Sequence, residues 1–407
     1  MQLEAEEQAM LEGRRGWPLQ FALRQLVAVG RAEGADRLIP VRSAHVVIDG
    51  VTLGEPGLAL HERLAAEGGR FVVPTTVNAL SMDRRLGGAE RSERDARQAR
   101  TLAAVEAMGG LPTCSCNPFN QAVLPLFGET VAWSESGTAP FLNGVLGARS
   151  NREGVSSLAS ALTGLTPRYG MHLDERRRGD VLIDVAAEVA GLDGWGLLGL
   201  HVARRWPGRI PVLRGAGRPS FDEAMALSAA FAIAGSAPMF HIPGVTPEAP
   251  TAEAAFPGGA PAAERIEAAD LAAERARLDG AVPVDVDLVV LGCPHASLPQ
   301  LAEIDGLLAG RRVRADCVVH TNHSVWGVAQ ASGLAGRLAA AGVRLTVDRM
   351  CWGCDFPDRA ADFGKVIATN SAKLAFVAPG ARGAGIRYGG VAACVEAAVA
   401  ARWFRTN

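Results

Sequence analysis

The chain has 407 residues, 48% of them hydrophobic, with 41 basic and 43 acidic side chains and a formal net charge of −2. That length suits roughly two or three domains around a sizeable core, and the balanced charge offers no field for nucleic acid or an anionic membrane. Aromatics are too sparse, at 5%, for a base-stacking surface; the acidic opening MQLEAEEQAM is no secretory signal; and no run approaches the roughly 18 apolar residues of a membrane span. The expectation is a cytoplasmic globular protein.

In chain order, residues 19–33 place apolar side chains at helical spacing and stop at Gly34. Residues 37–48 are β-rich and end in the Asp49-Gly50 turn. A helix is predicted over 56–67, then a short strand in FVVPTTVN that runs into a polar loop with Thr75, Thr76 and Asn78. Residues 86–109 read as a surface helix, 155–163 as a helix and RYGMHL (168–173) as extended chain. Another helix is expected at 220–234. Residues 251–280, rich in Ala, Glu and Pro, mark the clearest composition shift, which divides the chain into 1–275 and 276–407.

From residue 284 the pattern alternates. VDLVVLG suits a buried parallel strand. A helix (298–309), VRADCVVH, a helix (324–341), VRLTVD, a strand at KLAFVA and a last helix (391–404) follow. Such alternation implies a parallel α/β sheet, which binds ligands outside the carboxyl ends of its strands. Those ends carry Gly292 to Ser297, His320 to His323, and Asp348 to Cys351.

The stretch from Cys116 to Arg152 is mostly apolar yet holds Glu135 between Ser134 and Ser136, Asn143, Arg149 and Arg152. Polar groups buried there must be hydrogen-bonded, either as the wall of a polar cavity or as a network that only fixes the fold. Seven cysteines, odd in number and widely spaced, suit metal or catalytic work in a reducing compartment better than disulfides. Cys116, Cys293 and Cys351 lie in polar turns, and three thiolates could hold iron or zinc with one position open. Cys317 and Cys394 sit in apolar contexts. Two rival readings stay open: a structural zinc site from Cys114, Cys116, Cys351 and Cys354, and a redox pair Cys351/Cys354. His295 and Ser297 flank Cys293. The pair His320/His323 lacks a visible third ligand. Lys373 is one of two lysines in the chain, with Lys365; in TNSAK, before the expected strand, it suits a substrate carboxylate or phosphate. No GxGxxG, P-loop or GxSxG element is present.

Taken in order, CNPF, AWSES, NGVLGARSNREG, LTGLTPRYGMHL, FHIPGVTPEAP, LGCPHAS and TNSAKLAFVAPG resemble the catalytic large subunit of aconitase X, a branch of the aconitase superfamily. The resemblance covers nearly the whole chain. It implies an aconitase-like multi-domain α/β/α fold with mostly parallel sheets around a central cleft. It implies an iron-dependent hydro-lyase acting on cis-3-hydroxy-L-proline, to give 1-pyrroline-2-carboxylate, or on mevalonate 5-phosphate. The iron, as a [2Fe-2S] or [4Fe-4S] cluster or a mononuclear ion, would fall on Cys116, Cys293 and Cys351. Substrate contacts would fall on Gly50, Val51 and Thr52, on Thr75, Thr76 and Asn78, and on Asn143 and Gly144. Arg149, Arg152, His295 and Ser297 join these as substrate-binding candidates, and Lys373, Glu135 and Ser136 form the catalytic set. The chain departs from the family's usual sequence at Asn117, Phe119, Gly144, Arg349 and Met350, and Cys354 is a substitute for Cys351.

The superfamily also uses a small swivelling domain that closes over the cluster and brings a serine base. Here the large-subunit motifs run to the final helix, so a separate small swivel-domain subunit, and hence a heterodimer, is expected. A non-catalytic, zinc-stabilised binding subunit is the alternative from another class.

Overall fold

The computed structural model describes residues 1–85, 92–135, 137–235, 237–279, 284–351 and 365–404. Its architecture is mixed α/β, built on three parallel sheets. In the first, Ala44–Val46 lies between Thr75–Val77 and Ala132–Trp133. All three strands are buried along their length. The helix Trp17–Ala32 shows why: Ala22, Leu23, Leu26, Val27 and Gly30 form one apolar stripe, and the core continues through Ile48, Leu64, Val105 and Leu162.

In the second sheet, Val181–Val185 lies between Pro211–Arg214 and Glu264–Ile266. The helices Gly191–Arg205 and Phe221–Gly235 pack backbone to backbone. A Cβ on Gly199 would stand 2.5 Å from the Leu227 carbonyl, so only glycine admits this approach.

The third sheet has five parallel strands in the order Val343–Val347, Asp316–Thr321, Leu288–Leu291, Val366–Thr369, Gly385–Tyr388. The chain starts in the middle, works outward to one edge, then returns to the other side. The strand order therefore reverses between Leu288–Leu291 and Val366–Thr369, and such a reversal opens a crevice at the carboxyl ends of the two strands.

Four sequence expectations change. KLAFVA is not a strand: it lies in the helix Ala372–Arg382, and the strand is Val366–Thr369. A six-residue apolar run does not distinguish strand from buried helix; the deciding residue is Ser371, whose Oγ accepts the Leu374 N–H at 3.1 Å as an N-cap. The helix over 324–341 is two, His323–Ala331 and Leu334–Ala340, parted by Gly333 in the left-handed region. RYGMHL contains a 3₁₀ turn at Gly170–His172. The last helix stops at Ala400, and Arg402–Trp403 pairs antiparallel with Val284–Asp285.

Candidate active site

The strand Leu288–Leu291 ends at Gly292, whose φ is +83° and whose Cβ would overlap the His320 carbonyl. This forces the turn Cys293-Pro294-His295 tightly over the neighbouring strand. The His295 N–H donates to Cys116 Sγ at 3.3 Å, and its carbonyl accepts Asn117 Nδ2 at 3.0 Å. Its Nδ1 lies 3.1 Å from Ser115 Oγ, and its Nε2 donates to the Arg349 carbonyl at 2.9 Å. One buried imidazole thus ties the Cys116 loop, its own Cys293 turn and the segment before Cys351 together. Burial lowers its pKa to about 4, so it serves as a neutral strut. Cys293 and Cys351 face each other sulfur to sulfur, with Cα atoms 5.9 Å apart. Sequence reading favours metal or catalytic work over disulfides for these cysteines; their sulfurs meet because the two loops leave the same sheet edge side by side. All three predicted cysteines therefore gather around His295.

Asp348 holds the third loop. It adopts φ +65°; its fully buried carboxylate accepts the His323 N–H at 2.9 Å and Arg84 Nη1 at 3.3 Å. The Leu80 N–H donates to the Asp348 carbonyl and Met350 N–H to Leu80, which pins the Cys351 segment to the first sheet's unit. Sequence reading did not find this clamp, because Arg84 and Asp348 are 264 residues apart. It also explains His323, which serves Asp348, whereas His320 meets Thr346 Oγ1 at 2.6 Å.

Glu135 follows the strand Ala132–Trp133 and Lys373 opens the helix after Val366–Thr369. Lys373 Nζ meets Glu135 Oε1 at 2.8 Å, with both side chains almost buried. Burial alone would raise Glu135, but the charge and hydrogen bond of Lys373, and the Thr138 N–H at 2.9 Å, hold its pKa below the usual value. Burial would lower Lys373, but Glu135 outweighs it and raises the pKa. The pair is an ammonium–carboxylate at neutral pH.

The other predicted residues divide by environment. Cys293, His295 and Lys373 line one narrow cleft, together with Asn117, Asn370 and Asp222, which were not among the predicted site residues. Arg152 is exposed, and its charge reaches Lys373. Ser297 Oγ donates to Asp222 Oδ2 at 2.5 Å. Thr76 Oγ1 meets His45 Nδ1 at 2.8 Å, Thr75 Oγ1 donates to the Val73 carbonyl, and Asn78 stands buried at the end of that strand. Gly50 donates to Gln98 and Thr52 to Asp49. Asn143 lies in a π-helical turn (Phe141–Leu146), its amide bonded to Ser150, Pro238 and Arg177. Gly144 packs so closely that a Cβ would lie 2.7 Å from the Phe240 carbonyl, which accounts for glycine there. Arg149 pairs with Asp174. Ser136, Cys354 and the side chain of Val51 lie outside the described residues.

His45, adjacent to this constellation, carries a stability consequence. It is fully buried beside Trp133, and burial lowers its pKa from 6.5 to about 4. The unfolded chain binds this proton first, so stability is full above about pH 6.5 and declines as pH falls toward 4, by up to about 3 kcal/mol. Urea midpoints between pH 7 and 4.5 should fall, and H45Q should flatten that slope; an unchanged slope in H45Q would assign the acid lability elsewhere.

Family models for the aconitase X first, second and third domains match residues 1–175, 179–277 and 286–400. A cis-3-hydroxy-L-proline dehydratase of Pseudomonas aeruginosa is 37% identical over 98% of this chain and 70% of its own length. A phosphomevalonate dehydratase large subunit of Methanothermobacter thermautotrophicus is 36% identical over 93% of this chain and 94% of its own. The crystal structure of Thermococcus kodakaraensis aconitase X in its holo-form superposes with a TM-score of 0.88 at 33% identity, covering 98% of this chain and all of that one.

The chain belongs to the aconitase X family. It is a hydro-lyase of the aconitase X type, with the family's α/β fold. Among the described residues no helix is long and apolar enough to cross a membrane.

Proposed function

We propose that this aconitase X chain is the large catalytic subunit of a cytoplasmic, iron-dependent dehydratase that converts cis-3-hydroxy-L-proline to 1-pyrroline-2-carboxylate. The observation that carries the substrate choice is the charge of the cleft. Among the described residues its lining holds one cation, Lys373, already paired with Glu135. The adjoining opening, which shares Asp222 and Gln300 with the cleft, is lined by Asp222, Glu223 and Glu303, and by Asp193, which pairs with Arg275 at 2.8 Å. A phosphate dianion calls for several positively charged donors. A zwitterionic amino acid needs one cation and one anion.

Dehydration removes a proton from C2 and hydroxide from C3, and the enamine formed tautomerises to the cyclic imine. Lys373, kept charged by Glu135, would bind the carboxylate and the negative charge that grows on it as the C2–H bond breaks. Arg152 adds to that field. Glu135, ionised and held, is a weak base, so its work is to orient Lys373. The Methanothermobacter relative is named a large subunit, which supports a small-subunit partner for this chain. Such a swivel-domain partner would cap the cleft, exclude water and supply the base.

Cys116, Cys293 and Cys351 suit the iron in donor chemistry, since iron–sulfur groups are held by thiolates. Among the described residues no group of three or more His, Cys, Asp or Glu is arranged to hold an ion; Cys293 and Cys351 lie sulfur to sulfur, and Cys116 Sγ accepts the N–H of His295, two residues after Cys293. Burial first, then Glu135, raises the Cys116 thiol to about 11, and thiols give up their proton on binding metal. The iron would supply Lewis-acid stabilisation of the leaving hydroxide. The test is to incubate the anaerobic protein and its partner with cis-3-hydroxy-L-proline and reduce the product with borohydride. Recovery of proline is expected; its absence, with substrate unchanged, would overturn the assignment.

A further inference from the structure

We infer that Asp222 receives the substrate's secondary ammonium and thereby selects an amino acid over a phosphorylated hydroxy acid. The inference rests on the substrate reading above and assigns one residue to it. Asp222 lies in the first turn of the helix Phe221–Gly235 and lines the cleft that also holds Cys293 and Lys373. Its Oδ2 accepts Ser297 Oγ at 2.5 Å. Ser297 in turn caps the helix Leu298–Leu308, accepting the Gln300 N–H at 3.4 Å. The carboxylate is therefore held between two helices of different units, which is the rigid support a binding group requires.

Among the described residues no lysine or arginine pairs with Asp222, whereas Lys373 is satisfied by Glu135. Asp222 thus lines the cleft with a carboxylate that no described ion pair neutralises. Its reach is visible at Glu303, whose pKa is raised by burial and then by Asp222. A five-membered amino acid carries its ammonium one bond from C2 and its carboxylate on C2. One lysine and one aspartate in a single cleft match that pair of charges. A phosphate placed near Asp222 would meet like charge, offset in the lining only by Lys373, which Glu135 already pairs.

The probes are L-proline, which has both charges but no leaving hydroxyl, and tetrahydrofuran-2-carboxylate, in which oxygen replaces the ammonium. In the iron-loaded complex with its partner, the wild type should bind L-proline more tightly than the ether. D222N should lose that preference and raise KM for cis-3-hydroxy-L-proline by roughly 10- to 100-fold, the loss of one charge-assisted hydrogen bond, with kcat changed far less. D222E should restore much of the preference, which a merely structural role would not do. A wild type that turns over the hydroxyamino acid while D222N keeps the preference and KM overturns the role of Asp222. A wild type that ignores both the hydroxyamino acid and L-proline overturns the substrate reading instead.

Discussion

Replacing Lys373 with methionine should lower kcat/KM for the hydroxyamino acid by roughly 10²- to 10³-fold, the usual loss when a preorganised charge is removed from a developing anion. The same change should destabilise the fold. Glu135 would remain buried without its counter-charge, and breaking a buried pair from one side costs about 3–5 kcal/mol. The double variant K373M/E135Q separates the two effects, because it removes both charges together. Its unfolding midpoint should return toward wild type while its turnover stays low. E135Q alone should lose both stability and activity, because Lys373 then sits buried and unpaired. Wild-type turnover in K373M, or activity restored together with stability in the double variant, would reduce the pair to a structural one.

Serine at Cys116, Cys293 or Cys351 should abolish iron retention and turnover together. The loss should exceed the roughly 10- to 100-fold in metal affinity that changes behind the ligands produce. D348N, which weakens the clamp of Arg84 and His323 on the Cys351 segment, should fall within that smaller range. Cys317 and Cys394 lie buried in the sheet and the last helix, and conservative changes there should leave the iron content unchanged. Iron content is read from the anaerobic protein by metal analysis. A full complement of iron in any one of the three serine variants would remove that residue from the ligand set.

The parts of this site that lie after strands were legible from sequence. VDLVVLG and VRLTVD are continuous or alternating apolar runs closed by polar residues, so Cys293 and Cys351 fell at strand ends without a structure. The polar stretch around Glu135 left open a cavity wall or a buried network, and the structure divides it: Glu135 faces Lys373, while Asn143 bonds with Ser150 and Arg177. Lys373 was found for its rarity but misplaced before a strand, since KLAFVA carries no period that distinguishes strand from helix over six residues. What was not legible depends on long-range pairing. Asp222 carries no signal in the sequence beyond an acidic residue in a helix's first turn; its place depends on Ser297, 75 positions away. Asp348 similarly required Arg84.

The most direct measurement of the central claim is a competition assay on the anaerobically purified, iron-loaded complex, with cis-3-hydroxy-L-proline and mevalonate 5-phosphate in one reaction. The cleft, with Lys373 beside Glu135 and an adjoining opening lined by Asp222, Glu223 and Glu303, predicts water loss from the hydroxyamino acid and none from the phosphate ester. Consumption of mevalonate 5-phosphate with cis-3-hydroxy-L-proline left intact would contradict it.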